Sequence, residues 1–444
     1  MIPDKSEKGL IKCFFGYSVP CIVGMFFTSF ITIVDGIFIG NRLGGRGLAA
    51  VNLTLPVLYL LLGITIMIGI GGVTLATQSL GAGDRARAGR RFTLTLVLCV
   101  AVILPVVLLL RVFLDDIVFL LGSGEMLKEY VSDYLGTISF FYPFMMMNII
   151  FSMFVRGEGK PKTSLFFGAA GNIINIVLDY LFIYRLDYGI KGAALASGIA
   201  VLLPFLIGCV YFVTGRSAYR PVKPGFDEGD IKSIFFNGSS EFIGQISICI
   251  TTCLFNYVIL RRIGVDGVAA FTIIGYVSFI EYMIITGIAQ GINTLVSYSF
   301  GARDRGTIER LLSIAVKTTA AIGAVAFIIS LAASERIAGL FSGTSSGIVE
   351  IAGIGMKIYA FAFLLNGYNM IASSYFTSLG DARTSAVISA LRSLLLISVF
   401  ILVLPHLLGD TGIWLAVPLT EMITFAVSLL CISRSGSKLQ FTDI

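Results

Sequence analysis

The chain is short of charge. Only 13% of its 444 residues are charged while 56% are hydrophobic, and the mean hydropathy is +0.92. A soluble domain needs far more charge on its surface, so a soluble globular fold is excluded. Histidine occurs once, as His406 near the end of an apolar run. No clustered acid or serine accompanies it, so an enzyme is not expected. The seven cysteines (Cys13, Cys21, Cys99, Cys209, Cys249, Cys253 and Cys431) lie in or beside apolar stretches. Cys249 and Cys253 are one helical turn apart but lack further ligands, so they read as small buried residues and not as a zinc site. No GxxxxGK[ST] phosphate loop is present, and nothing argues for ATP. The net charge of +6 is scattered through short loops with no basic patch among aromatics. No nucleic-acid partner is expected.

What the chain has in quantity is apolar sequence. A bilayer core needs roughly 20 apolar residues per helix. Such runs fall near 11–39, 50–76, 92–114, 132–155, 163–184, 191–213, 234–259, 268–298, 312–333, 352–377, 385–408 and 411–433, which we number spans 1 to 12. Span 1 is too long for a signal-peptide core and lacks a small-residue cleavage site, so it reads as a retained helix. The polar breaks are short except 114–131 and 214–233. The second, TGRSAYRPVKPGFDEGDIKS, has two prolines and mixed charge and lies at the midpoint. The expectation is therefore an all-α membrane protein of twelve transmembrane helices in two six-helix lobes. Residues 1–213 form the amino-terminal lobe, 214–233 a cytoplasmic linker and 234–444 the carboxyl-terminal lobe.

Lysine and arginine set the orientation. The side holding both termini and the even-numbered breaks carries about 20 basic residues against about 8 on the other, which places both ends in the cytoplasm. Arg85, Arg87, Arg90 and Arg91 after span 2 contribute most, and Arg156, Lys160 and Lys162 after span 4 add to them.

The halves are repeats. SLGAGDR at 79–85 matches SFGARDR at 299–305, a shift of 220 residues. The same shift carries GLAA at 47–50 onto GVAA at 267–270, Gly44 onto Gly264, Gly71 onto Gly291 and Thr74 onto Thr294. After one insertion GKPKTS at 159–164 falls on GDARTS at 380–385. Because both motif copies lie on one side of the membrane, the lobes should be related by a pseudo-twofold axis along the membrane normal. That arrangement suits alternating access around a shared cavity.

Acidic side chains deep in a bilayer are costly and usually serve a pathway. Thr28, Thr32 and Asp35 form one polar stripe on span 1, at i, i+4 and i+7. Asn172, Asn175 and Asp179 form another on span 5. Under the repeat Asp35 falls on Phe255, and Asp179 falls near Val399 or Phe400. The acids are thus peculiar to the first half. Carboxylates in a low-dielectric medium hold protons more firmly, and with amide and hydroxyl oxygens beside them they also suit a hard cation such as sodium. Pro20, fifteen residues before Asp35, removes a backbone hydrogen bond and gives span 1 a hinge. In the second half Glu281 sits deepest. It is placed to meet a cationic substrate or to pair with Lys357 or Arg392. Asn148, Asn366 and Asn369 are candidates for the cavity wall or for bonds between helices. The 35 phenylalanines and the MMM run at 145–147 read mostly as packing, though in a cavity they suit flat lipophilic cations.

Taken together, the twelve spans in two halves, VDGIFIGNRLGG at 34–45 with the LAA that follows, the paired GAGDR and GARDR loops, and RGEGKPK at 156–162 resemble the multidrug and toxic compound extrusion family, prokaryotic branch, over nearly the whole chain. The resemblance implies an antiporter of the cytoplasmic (inner) membrane that exports lipophilic organic cations, a trait linked to antibiotic resistance, in exchange for inward sodium or protons. It implies a monomer with no cofactor beyond that coupling ion. It assigns the ion site, including any sodium, to Asp35, Asn175 and Asp179. Ser197 stands where a threonine is usual, Ala193 contributes backbone, and Pro20 is the bending residue. Some members also use an acid well inside span 7 and an aspartate in span 10. Here Glu241 comes early in span 7, and span 10 offers Asn366 and Asn369, so coupling is expected through the amino-terminal lobe. The alternative is a lipid-linked oligosaccharide flippase of the same superfamily, which wants a basic cavity for a pyrophosphate. A channel would need repeated filter residues, and none is evident.

Overall fold

In lipid every backbone polar group must be satisfied within the chain, so apolar runs of this length fold as helices. The computed structural model describes residues 2, 4–215, 217–342 and 346–435, and no strand occurs among them. Arg216 of the linker and residues 436–444, which entered the charge asymmetry, lie outside the described residues. The helices are α1 (Glu7–Gly81), α2 (Arg85–Val112), α3 (Leu114–Leu120), α4 (Gly124–Ile138), α5 (Tyr142–Gly157), α6 (Pro161–Asp179), α7 (Gly189–Ala200), α8 (Leu202–Val213), α9 (Glu228–Arg262), α10 (Val265–Gly301), α11 (Arg305–Ser342), α12 (Ser346–Tyr359), α13 (Phe363–Leu379), α14 (Ala382–Ala390), α15 (Leu396–Leu408) and α16 (Thr411–Ser435). Two π-helical turns, Tyr180–Arg185 and Leu391–Leu395, continue α6 and join α14 to α15.

Among the described residues ten helical segments are long and apolar enough to cross a membrane, and α4 with α5, bent by 52°, makes an eleventh. The 75-residue α1 is two spans in one. At about 1.5 Å per residue it is several times the thickness of a bilayer core, and its helical backbone breaks at Gly44 (φ 66°, ψ −161°). Divided there, the described residues hold the twelve spans that the hydropathy predicts.

The repeat is visible in backbone detail. Gly264, the partner of Gly44, has φ 94° and ψ −160°. In the paired loops Asp84 N donates to Ser79 O and Asp304 N to Ser299 O, both at 2.9 Å. Each aspartate then caps the next helix, Asp84 accepting from Arg87 N at 2.8 Å and Asp304 from Thr307 N at 3.1 Å. The left-handed position is Gly83 in one loop and Arg303 in the other.

The chain forms two compact units, one dominated by Val23–Gly238 and the other by Ile2–Ile22 with Ser239–Ile444. The division departs from lobe boundaries at 213 and 234 in two places. Ile2–Ile22 belong to the second unit, because Phe14 and Tyr17 sit in its core with Ile288, Ile292 and Leu295. Gly287 and Gly291 of α10 let that backbone approach: a Cβ on Gly287 would lie 2.7 Å from Ile22 N, and one on Gly291 3.1 Å from Ser18 N. The first unit shows the counterpart. Cβ atoms on Gly71 and Gly238 would collide with the carbonyl oxygens of Ile234 and Met67. The amino-terminal ends of spans 1 and 7 are therefore each packed in the unit built from the other half.

The linker also packs in the first unit. Tyr219 is fully buried, its hydroxyl 2.9 Å from Thr77 Oγ1. The Glu158 carboxylate, only 1% exposed, accepts from Ser217 Oγ at 2.5 Å, from Ala218 N at 2.6 Å and from the Tyr211 hydroxyl. Asp230, at the start of α9, pairs with Arg91 at 2.8 Å, and Arg91 also donates to Leu75 O and Ser79 Oγ.

Candidate functional site

In the first unit α1 and α6 bring Asp35 and Asp179 together. Their side chains lie close enough to act on each other's charge. Asp179 is 1% exposed and Asn175, one turn earlier, 5%. Asp35 Oδ1 and Asp179 Oδ2 are buried with no hydrogen-bond partner. Packing beyond the acids holds this register. Ile39, Ile183, Ile190 and Ala193 form a small core, with Phe38, Leu43 and Tyr134 against it. The Phe38 and Tyr184 rings meet edge to face at 5.6 Å. Arg42 and Asp187 pair at 3.1 Å, an exposed contact that adds little energy beside the packing.

Helix α7 supplies the third wall. Ser197 Oγ lies 3.5 Å from Asn175 Nδ2. Ala193, one turn earlier, is 2% exposed. With its amide nitrogen turned to Ser197, Asn175 keeps its carbonyl oxygen as the available ligand. Directly after Asp179 the chain enters the π-helical turn Tyr180–Arg185, with Leu186 N bonding Leu181 O at 2.9 Å. Such wide turns often mark functional positions.

Two neighbouring carboxyl groups in a buried site repel each other if both are bare anions. A proton or a cation at the pair relieves that repulsion. The unpartnered oxygens, the Asn175 carbonyl and the Ser197 hydroxyl are hard oxygen donors of the kind sodium takes. Among the described residues no group of three or more His, Cys, Asp or Glu side chains is gathered for a metal, so two acids and neutral oxygens are what the site offers.

The other predicted residues fall elsewhere. Thr28 and Thr32 are exposed on α1 and donate to Gly24 O and Thr28 O at 3.0 and 3.2 Å. Their hydroxyls serve their own helix, and no hydrogen bond links them to Asp35. Pro20 is buried in the segment that belongs to the second unit, about 22 Å along α1 from Asp35 at 1.5 Å per residue. The backbone stays helical through it. Asn148 is on α5 of the first unit, its Oδ1 buried without a partner.

Glu281, Asn366 and Asn369 meet in the second unit. Glu281 pairs with neither Lys357 nor Arg392. Lys357 bonds Glu335 at 2.8 Å on the exposed surface, and Arg392 Nε bonds Glu421 at 2.8 Å. Asn366 stands between, accepting from Arg392 and donating to Glu281 Oε2 at 2.6 Å. Asn369 donates to Glu421 Oε2 at 2.7 Å. Two participants were missed. Glu421 interrupts span 12 as the one acid between Thr411 and Arg434, a signal the sequence carried. Tyr134, which lies beside both Asp35 and Asp179, is one tyrosine among 17, and nothing in its spacing marks it.

An internally duplicated helical membrane protein with a buried carboxyl pair in one unit has the design of a secondary transporter. The chain belongs to the MatE family, whose profile matches residues 20–181 and again 242–402, once in each half. A "Multidrug export protein MepA" of Staphylococcus saprophyticus is 26% identical over 96% of this chain and 94% of its own length. Among solved structures, a MATE transporter in complex with MaL6 superposes with a TM-score of 0.91 at 22% identity, covering 98% of both chains. A MOP superfamily transporter from Pyrococcus furiosus gives 0.89 at 23%, covering 97% of this chain and 96% of that one. These likenesses show the fold.

Proposed function

We propose that the chain is a multidrug efflux antiporter. It exports lipophilic organic cations by alternating access in exchange for inward protons or sodium, with both termini cytoplasmic. The observation that carries this reading is the closeness of Asp35 and Asp179, with two buried, unpartnered oxygens. An ion arriving at that pair changes its charge, and ion and cationic substrate exclude one another there. That exclusion is the coupling. Asn175, Ser197 and the Ala193 backbone complete the ion's surroundings, and Pro20 is the point at which span 1 bends in response. The export names of the curated relatives support multidrug export. The flippase alternative has less support, because Arg392 is tied to Glu421 and Lys357 to Glu335, which leaves neither free for a pyrophosphate.

The test is ethidium efflux from energised vesicles under separately imposed sodium and pH gradients, for wild type and Asp179→Asn. One gradient should drive efflux, and the variant should lose it. Efflux that follows neither gradient would overturn the antiport reading.

A further inference from the structure

A cavity of about 470 Å³ lies in the first unit, at the end of α2 away from the loop at 81–85. Its walls include Arg111 of α2, Leu114 of α3, Asp133 of α4, Phe140 just after α4, and Lys191 and Leu195 of α7. Arg111 is held in place. Its Nη1 donates to Gly136 O at 3.1 Å and to Ser139 Oγ at 3.2 Å, and its guanidinium carbon lies 3.4 Å from the centre of the Phe140 ring. All three partners are neutral. Among the described residues no carboxylate lies within ion-pair distance of Arg111. The Asp133 carboxylate is taken by Lys191 at 3.1 Å. The cavity therefore has an excess positive charge. The Lys191 side chain is 57% exposed, and its ammonium has donors left for a second acceptor. The surroundings define the kind of anion. Val112, Phe113, Phe119, Leu120 and Phe140 are large apolar side chains left exposed around the cavity. Such a belt at the end of a transmembrane helix faces lipid. The guanidinium and the ammonium belong at headgroup depth, where long basic side chains reach for the interface.

We propose that this cavity is a binding site for an anionic phospholipid. The phosphate sits between Arg111 and Lys191, and an acyl chain runs over Phe140 and Leu114 toward the bilayer. Only Nη1 of Arg111 is engaged with protein oxygens, so Nε and Nη2 are left to fork onto two phosphate oxygens. Gly136, Ser139 and Phe140 hold the guanidinium ready, which lowers the cost of binding. The lipid ties α2, α4 and α7 together. Two of those helices also wall the carboxyl site: Asp133 precedes Tyr134, and Lys191 and Leu195 flank Ala193. The inference needs neither the antiport nor the substrate proposed above.

The experiment titrates the purified full-length protein in detergent with phosphatidylglycerol and reads binding by native mass spectrometry. A first phosphatidylglycerol should bind ahead of the rest, and more tightly than phosphatidylcholine, whose phosphate is offset by its own choline. Arg111→Gln and Lys191→Gln should each weaken that first step about fivefold, and the two combined about 25-fold. Lys191 is exposed, so its variant reads the site even if Arg111→Gln fails to fold. Lys128→Gln removes an exposed lysine of α4 outside the cavity and should leave the step unchanged. Phosphatidylglycerol should also raise the melting temperature of wild type more than that of the combined variant. Equal binding by wild type and Lys191→Gln overturns the proposal. An equal loss in Lys128→Gln also overturns it, because general surface attraction then accounts for the binding. Glycerol 1-phosphate carries the headgroup chemistry without acyl chains. If it displaces the lipid at matching concentration, the cavity holds a free phosphate ester and the lipid assignment is refuted.

Discussion

Glu158 gives the clearest quantitative test of how the linker is held. Its carboxylate accepts from Ser217 Oγ, Ala218 N and the Tyr211 hydroxyl, with Lys160 Nζ 3.2 Å away. Glu158→Ala leaves these donors without an acceptor. A hydrogen bond to a charged group contributes about 1.5–3 kcal/mol, and such terms do not simply add. Losing one partner of a buried charged set costs about 3–5 kcal/mol. Taking about 3 kcal/mol, the population of the opened linker rises about 100-fold at 1.4 kcal/mol per factor of ten. Tyr219 reports that opening, because it is fully buried when the linker is docked and is a chymotrypsin site when it is not. Where docking is fast relative to cleavage, the rate follows the open population. Cleavage after Tyr219 in detergent, followed by mass, should therefore rise about 100-fold in Glu158→Ala. Glu158→Gln keeps one carbonyl acceptor, so its rise should be about tenfold. Equal rates for wild type and Glu158→Ala would refute the reasoning.

Other consequences follow from the same geometry. Gly238→Ala and Gly71→Ala place a methyl against the backbone carbonyls of Met67 and Ile234, which cannot give way. Each should cost more than about 3 kcal/mol and broaden or abolish the monodisperse peak in size-exclusion chromatography. Gly244→Ala on the same helix meets nothing within 4 Å and should leave the peak unchanged. Asp304, in the loop between α10 and α11, is partly buried, which opposes its charge. The Lys5 ammonium at 2.5 Å and the Thr307 amide and hydroxyl outweigh that and hold its carboxyl below the ordinary 3.8. The stabilisation is present above that ordinary value and is lost as pH falls through the lowered one. Asp304→Asn keeps a cap but loses the charge paired with Lys5, so it should cost up to about 1 kcal/mol at pH 7, read as a lower melting temperature, and the gap from wild type should close in strong acid. A gap that is the same at both pH values would contradict the assignment.

Much of the fold was legible because lipid leaves the chain few options. Long apolar runs must be helices, and the 220-residue repeat puts Gly44 and Gly264 in one backbone conformation. The unit boundary was not legible. A hydropathy break at 214–233 marks where the chain leaves the membrane, but which unit holds Ile2–Ile22 depends on contacts such as Phe14 with Ile288, and no local pattern encodes these. The first site was readable from acids that the repeat does not share. The Glu281 cluster was only half readable. Spacing showed Glu281, Asn366 and Arg392 inside spans, but it could not show that an amide would stand between the two charges. Direct pairing with Arg392 or Lys357 was the simpler expectation, and the surface residue Glu335 takes Lys357 instead.

The central claim is that Asp35 and Asp179 act as one site. Its most direct measurement is gradient-driven ethidium efflux for Asp35→Asn, Asp179→Asn and the two combined, at matched protein levels. Residues that work as a unit are non-additive, so the combined variant should be no slower than the slower single one. Losses that multiply, or gradient dependence retained by either single variant, would contradict the claim.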